Sequence, residues 1–247
     1  FAQAVAYAAT ELGINATLVM PTSAPSIKVE KTKSFGADIV LYGTTHKESS
    51  DKVEMLVKEH GYTPLHSFDS LDVIAGQGTV ALEIVEKMPL IGTLICPVGG
   101  GGLLAGCSLV AKNHSRDIDV IAAEPSRAND FYLSFHSESK QQITSPKSIA
   151  DGLLANSVGH KNWDVLSENV DSVGLVSENE ILEAMTLFYD HMNGMLIEPS
   201  GAVSIALLIS RKSLLRKKGP IVCVVSGGNV DIDAFPQVFG GKNGSTL

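Results

Sequence analysis

Cysteine is scarce: Cys96, Cys107 and Cys223 are the three in 247 residues. They are unevenly spaced, sit inside apolar segments, and form no C-x-x-C pair, zinc spacing or even-numbered framework. They read as buried free thiols of a reducing compartment, so the expected location is the cytoplasm. The seven histidines form no H-x-x-x-H pair, so no histidine-based metal site is visible. No apolar run approaches the ~20 residues of a membrane span, and no signal-peptide pattern is present. Basic surface is lacking too. With 19 Lys and Arg against 27 Asp and Glu, the net charge is −8, which excludes a general nucleic-acid surface. The nearest basic cluster, "RKSLLRKKG" at 211–219, reads as the last turns of a helix, with cations at the negative end of its dipole. No initiator methionine opens the chain, and "FAQAVAYAA" begins mid-pattern, so the expectation is a truncated chain.

What is present is an ordinary core-forming composition, 44% hydrophobic and 19% charged, enough for one large domain or two small ones. Helical and strand patterns alternate. Helices are expected at 2–12, 24–36, 48–60, 71–88, 102–113, 177–193 and 200–215. Strands are expected at 15–21, 37–43, 93–98, 118–124 and 170–176, and a last one opens the segment 219–229. "TLICPV" (93–98) shows no polar alternation, so both of its faces are buried. Ser177 with Glu180 forms a capping box. Between 124 and 170 the pattern is less regular. Strands alternating with helices, with the strands covered on both sides, give an α/β fold with parallel sheets. The expected division is a small domain over 1–68, a large domain over 69–240 and a frayed tail over 241–247.

Three constellations carry chemistry. "PVGGGGLLAG" takes a buried strand through Gly99, Gly100, Gly101 and Gly102 into a helix N-terminus. Four glycines cost backbone entropy, and the arrangement is an anion site, most often for phosphate. Leu103 and Leu104 stand where a Walker A loop needs G-K-[ST]. A dinucleotide fingerprint is a rival: Gly100, Gly102 and Ala105 fit G-x-G-x-x-A, and Glu124 ends the next strand. The second constellation is "SGGN", Ser226–Asn229, at the end of the last strand. Ligands sit at the carboxyl ends of parallel strands, so this loop and the glycine loop are expected to face one crevice. The third is "EPSRAND", with carboxylates at Glu124 and Asp130.

In chain order, "FAQAVAYAA", "MPTSAPSIKVEKTKSFGADIV", "VIAGQGTVALEI", "PVGGGGLLAG", "AAEPSRAND", "IADGLL", "IEPSGAV" and "VVSGGN" resemble the serine/threonine dehydratase and serine racemase group of fold-type II pyridoxal-phosphate enzymes. The resemblance implies a fold like the tryptophan synthase β subunit, with two parallel-sheet domains, helices on both faces, and an N-terminal part missing. It implies that Gly99–Gly102, followed by Leu103, bind the cofactor phosphate, and that Ser226 hydrogen-bonds the pyridine nitrogen. A hydroxyl is too weak an acid to keep that nitrogen protonated, so the ring is a modest electron sink, and prompt loss of a β-leaving group is a good outlet. Gly152 and Glu198 are expected along the cofactor. Glu124, Asp130 and the carbonyl of Ala128 are expected to hold Mg²⁺, Mn²⁺ or Ca²⁺, whose hard character suits oxygen ligands.

The family's Schiff-base lysine segment and its S-S-G-N loop have no counterpart here. The expectation is a fragment of an active enzyme, with the catalytic lysine outside the chain. The implied activity is an L-serine/L-threonine ammonia-lyase giving a 2-oxo acid and ammonia. Alternatives are a serine racemase, a hydroxyaspartate ammonia-lyase, and a non-catalytic protein binding pyridoxal phosphate. The chain ends soon after "SGGNVD", which argues against a feedback-regulated biosynthetic enzyme. A small hydroxyamino acid is the expected partner, with a homodimer implied, and no nucleic acid or membrane.

Overall fold

A computed structural model describes residues 1–216 and 219–240. The chain divides into two compact units, Phe1–Ser67 and a second beginning at Phe68. The first unit contains α1 (Ala2–Glu11), β1 (Thr17–Met20), α2 (Ser26–Ser34), β2 (Asp38–Leu41) and α3 (His46–His60). β1 and β2 pair in parallel, Thr17 opposite Asp38. Helix α3 starts at a capping box in which Thr45 and Glu48 satisfy each other's backbone amides.

The second unit continues with α4 (Leu71–Lys87), β3 (Thr93–Pro97), α5 (Gly102–His114), β4 (Asp119–Pro125) and α6 (Asp130–Ser137). Then come α7 (His160–Asn169), β5 (Ser172–Val176), α8 (Glu178–His191), α9 (Pro199–Ser210), β6 (Ile221–Cys223) and α10 (Pro236–Phe239). Its sheet is wholly parallel, in the order β5-β4-β3-β6. Successive side chains of a strand point to opposite faces, and each face has its own core. Leu94 and Cys96 of β3, with Val120 and Ala122 of β4, join Ile74, Leu104 and Leu166 from α4, α5 and α7. Ile95, Ile121 and Ala123 join Ile181 and Met185 of α8 and Val203 and Leu207 of α9. This two-sided cover is why "TLICP" lacks polar alternation: all five residues are buried.

The expected helices and strands recur with shifted ends, and three helices, α6, α7 and the four-residue α10, have no expected counterpart. α6 and α7 fall in the stretch that reads as irregular. Their first amides are satisfied from outside the local sequence. Glu124 accepts from Phe131 and Tyr132 at the start of α6, and Asp69 accepts from His160 and Lys161 at the start of α7. One expectation fails. The helix drawn to residue 215 stops at Ser210, where Arg211 leaves helical geometry and its guanidinium reaches Glu180 Oε1 at 2.6 Å. Residues 212–214 form a short 3₁₀ turn, so the basic cluster does not end α9. Lys217, Lys218 and the tail 241–247 lie outside the described residues. Among the described residues, no helix is long and apolar enough to cross a membrane.

At the amino edge of this sheet, Lys112 of α5 is buried. It donates to Asp171 Oδ2 at 2.5 Å and to the Ile118 carbonyl at 2.6 Å. The same carboxylate oxygen accepts from Val120 N–H, so one ion pair ties α5, β4 and the entry to β5 together.

Two glycines in α4 play different parts. A Cβ on Gly78 would lie 3.2 Å from the Gly106 carbonyl of α5, and one on Gly106 would overlap the Ile74 carbonyl and the Gly78 amide. The helices therefore cross backbone to backbone. Gly76 faces open space. Replacing Gly106 with Ala is expected to destabilise the fold by about 2–3 kcal/mol through overpacking. Gly76→Ala is expected to stabilise it by about 0.5–1 kcal/mol through helix propensity. Denaturant melts of the two variants check both signs.

Candidate functional site

The strand order sets the place. From β3 the chain moves outward through β4 to β5, then returns to the other side of β3 with β6. Between β3 and β6 the winding direction reverses, and in open parallel sheets ligands bind outside the carboxyl ends of the strands at such a point. The loops that leave there are Val98–Gly101 and Val224–Asn229, the two glycine-bearing stretches singled out from the sequence.

The Gly99–Gly102 turn is enclosed. A Cβ on Gly99 would sit 2.9 Å from Leu153 Cα, one on Gly100 would fall inside the Phe68 ring, and one on Gly102 would lie 3.1 Å from the Phe68 carbonyl. Gly101 has φ +94°, in the left-handed region, and precedes α5 as its N-cap. Its carbonyl accepts from Ala105 N–H, and the Gly100 carbonyl accepts from Gly159 N–H at 3.0 Å. The amides of Gly99, Gly100 and Gly101 have no intramolecular acceptor among the described residues. Buried backbone amides are almost always paired. Three successive unpaired N–H groups at a helix N-terminus fit an anion such as phosphate. Leu103, the second residue of α5, is half-buried.

The remaining candidates assemble beside this turn. Gly99 packs against Leu153 and the carbonyl of Gly152, and Gly152 N–H donates to Ser200 Oγ at 2.9 Å. A Cβ on Gly152 would lie 3.9 Å from Glu198 Oε1, and one on Gly227 would lie 2.5 Å from the same oxygen. Glu198 is buried and stands at the N-cap of α9, with Pro199 at the first helical position. Its amide donates to the Gly227 carbonyl at 3.0 Å. Thus Gly99–Gly102, Gly152, Glu198 and the Ser226–Asn229 loop form one continuous surface, with the Ser226 side chain exposed.

The carboxylates of "EPSRAND" sit at the carboxyl end of β4, Glu124 within the strand and Asp130 at the start of α6. Glu124 is fully buried, and its two oxygens accept from Phe131 and Tyr132 N–H at 2.9 and 2.8 Å. Burial, reinforced by the neighbouring Asp130, pushes its carboxyl well above the usual range. Asp130 is equally buried, and neither oxygen makes a well-formed hydrogen bond among the described residues. Burial raises it to about 7, against the pull of the Asp130 and Val158 amides and the Lys140 charge. Tyr132 N–H, the ordinary helical donor for the Ala128 carbonyl, is taken by Glu124, and that carbonyl has no donor among the described residues. Hard oxygens with no protein partner in a closed space fit a divalent cation. Among the described residues no cluster of three or more His, Cys, Asp or Glu forms; the set here has two carboxylates and a carbonyl.

Sequence reasoning missed Phe68, Asp69 and Asn162. "HSFDS" reads as a separator, and Asn162 lies in a helix without a local signal. Their work appears only in contact with residues far along the chain. Asn162 Nδ2 donates to the carbonyls of Phe68 and Gly100 at 3.1 and 2.6 Å.

The chain matches a family model described as "Pyridoxal-phosphate dependent enzyme" over residues 1–227. It is 37% identical over 248 residues to the L-threo-3-hydroxyaspartate ammonia-lyase of Saccharomyces cerevisiae, covering 100% of this chain and 75% of that protein. It is 38% identical over 241 residues to the catabolic L-threonine dehydratase of Staphylococcus aureus, covering 96% and 69%. The structure of maize serine racemase superposes with a TM-score of 0.89 at 36% identity, covering 96% of this chain and 72% of that one.

The thiols of the strands that carry the site do not supply a nucleophile. Cys96 is fully buried and its thiol is held well above the ordinary range by desolvation; burial raises Cys223 to about 11. Alkylation of Cys223 in the native protein at pH 8 is expected to run more than ~100-fold slower than in denaturant, because the thiolate is the reactive form. Mass spectrometry of a timed iodoacetamide reaction measures the ratio.

Proposed function

The chain belongs to the family of pyridoxal-phosphate-dependent enzymes, and from that premise we propose that its protein is an ammonia-lyase for L-serine and L-threonine. The observation that carries this is the row of unpaired Gly99–Gly101 amides at the sheet's switch point, where the loop bearing the exposed Ser226 also leaves the sheet. The amides hold the cofactor phosphate. The Ser226 hydroxyl hydrogen-bonds the pyridine nitrogen without giving it a proton, and Gly152 and Glu198 flank the ring. When bound, the cofactor draws electron density from the Cα–H bond of the amino acid attached to it. A lysine outside these 247 residues carries the cofactor and takes the Cα proton. The Cβ hydroxyl leaves, and hydrolysis gives a 2-oxo acid and ammonia, so serine yields pyruvate and threonine 2-oxobutanoate.

The location proposed for the lysine is supported by two lysines of the second unit that are already engaged. Lys112 is tied to Asp171 at the amino edge of the sheet, the end away from the site. Lys140 Nζ is engaged with His160 Nε2 at 3.0 Å and the Val158 carbonyl. A second reading, serine racemase or hydroxyaspartate ammonia-lyase, is favoured by the names of relatives of equal similarity. Glu124, Asp130 and the Ala128 carbonyl are proposed to hold Mg²⁺, Mn²⁺ or Ca²⁺.

Intact mass of the natural protein after pyridoxal phosphate and borohydride is expected to show a chain longer than 247 residues with one reduced cofactor on lysine. Assays with L-serine, L-threonine and L-threo-3-hydroxyaspartate, with chiral analysis of recovered serine, then rank the activities. A mass equal to this chain with no adduct would reverse the reading toward a non-catalytic binding protein. Magnesium at millimolar concentration is expected to raise the melting temperature by several degrees, by linkage. Asp130→Asn should lose that response, and a calorimetric scan with and without the ion decides it.

A further inference from the structure

We propose that Asn162 is the positioning residue of the anion-binding turn, orienting the Gly100–Gly101 peptide so that its amide faces the ligand. This rests on the reading of Gly99–Gly102 as a phosphate site. Asn162 is wholly buried in the first turn of α7. Its amide nitrogen donates to the Gly100 carbonyl at 2.6 Å and the Phe68 carbonyl at 3.1 Å, while Gly159 N–H donates to the same Gly100 carbonyl at 3.0 Å. No peptide bond here is cis, and in a planar trans peptide the C=O and N–H point in opposite directions. With the Gly100 carbonyl fastened toward α7, the Gly101 N–H is turned away from α7, toward the open side of the turn. The Asn162 side chain also closes the space beside Gly101, where a Cβ would meet Asn162 Cβ at 3.1 Å.

The brace is itself anchored. The Asp69 carboxylate accepts from His160 and Lys161 N–H at 3.0 and 2.9 Å, fixing the first turn of α7 against the Phe68–Asp69 strap. Asn162 Oδ1 meanwhile has no hydrogen-bond partner among the described residues. A buried oxygen without a partner is a cost that an apolar side chain of similar volume would avoid. What the amide supplies in return is its two donated bonds, and both end on the carbonyls that shape the turn.

The test uses the full-length protein freed of cofactor. The ligands are inorganic phosphate, pyridoxal phosphate and pyridoxal, the last lacking the phosphate. Asn162→Leu keeps the volume and removes both donors. Asn162→Asp sets carboxylate oxygens against the two carbonyls. Asn169→Leu, at the other end of α7 where the amide bonds only the Val165 carbonyl of its own helix, is the structural control. Both Asn162 variants are expected to weaken inorganic phosphate and pyridoxal phosphate about tenfold or more, the scale of losing one well-placed hydrogen bond. Affinity for pyridoxal should stay within about twofold, because no phosphate contact is involved. Asn169→Leu should lower the melting temperature and leave phosphate affinity as in the parent. If Asn162→Leu does not fold, Asn162→Asp and the smaller Asn162→Ser decide. Phosphate affinity unchanged in the folded Asn162 variants, with the parent still preferring the phosphorylated ligand, overturns the proposal and leaves the phosphate reading standing. A parent that binds no phosphate and does not separate pyridoxal phosphate from pyridoxal overturns both.

Discussion

The turn from β3 into α5 is closed in by Leu153 against Gly99, Phe68 against Gly100 and Gly102, and Asn162 and Leu166 against Gly101, and the large unit is arranged around that enclosure. A methyl group at any of these positions would require a neighbour or the backbone to move. The carbonyls of Gly100 and Gly101 are bonded inward, to α7 and to the first turn of α5. The amide of Gly101, trans to the bonded Gly100 carbonyl, is turned the other way, and those of Gly99 and Gly100 are also without an acceptor among the described residues. An unpaired buried amide costs on the order of 1–3 kcal/mol, so a chain would not retain three together without an open face from which water or an anion reaches them. The glycines are required by crowding on one side, and the anion proposed above would require them again by close approach on the other.

Topology then decides what else arrives at this face. β3 is an interior strand with both faces covered, and β4 and β6 flank it in parallel. Every loop that follows a strand leaves from the same edge: the glycine turn after β3, the Glu124–Asp130 segment after β4, and the Ser226 loop after β6. Helix α9 begins on that edge as well, with Glu198 at its N-cap. The opposite edge receives the Lys112–Asp171 pair, buried on the lysine side and partly open on the aspartate side. One edge is therefore fastened by an ion pair, and the other carries the unpaired amides of the glycine turn and the Asp130 carboxylate.

Where local chemistry dictated local structure, the sequence was readable. The apolar run of β3 and the Ser177–Glu180 capping box of α8 act within a few residues of themselves. The four glycines and the Ser226 loop stand out in the sequence by their composition and their place after apolar strands, whereas Gly152 and Glu198 were expected only through the family resemblance. What escaped depends on distance along the chain. α6 and α7 are capped by Glu124 and Asp69, from another element and from a segment about ninety residues away. α9 ends early because Arg211 turns to Glu180, 31 residues back. The two glycines inside α4 count against a helix by propensity, and the reason for Gly78 is a carbonyl of α5 that no local window contains.

A site built from main-chain amides also bears on why relatives of similar identity carry names of different reactions. Amides bind a phosphate whatever side chains surround them, so the demand on the sequence is for the absence of Cβ atoms and for the residues that hold the carbonyls back. Phe68, Asn162, Leu153 and Gly159 meet that demand by crowding the turn or by bonding its carbonyls. On the activity proposed above, selectivity among hydroxyamino acids, and the balance between elimination and inversion at Cα, would depend on groups that face the amino acid itself. In the trans peptide between Gly100 and Gly101 the C=O and N–H point in opposite directions, so the residues that brace the carbonyl need not be those that meet whatever binds the amide. The carbonyl of Gly100 answers to α7, and the amide of Gly101 is left to the other side of the turn.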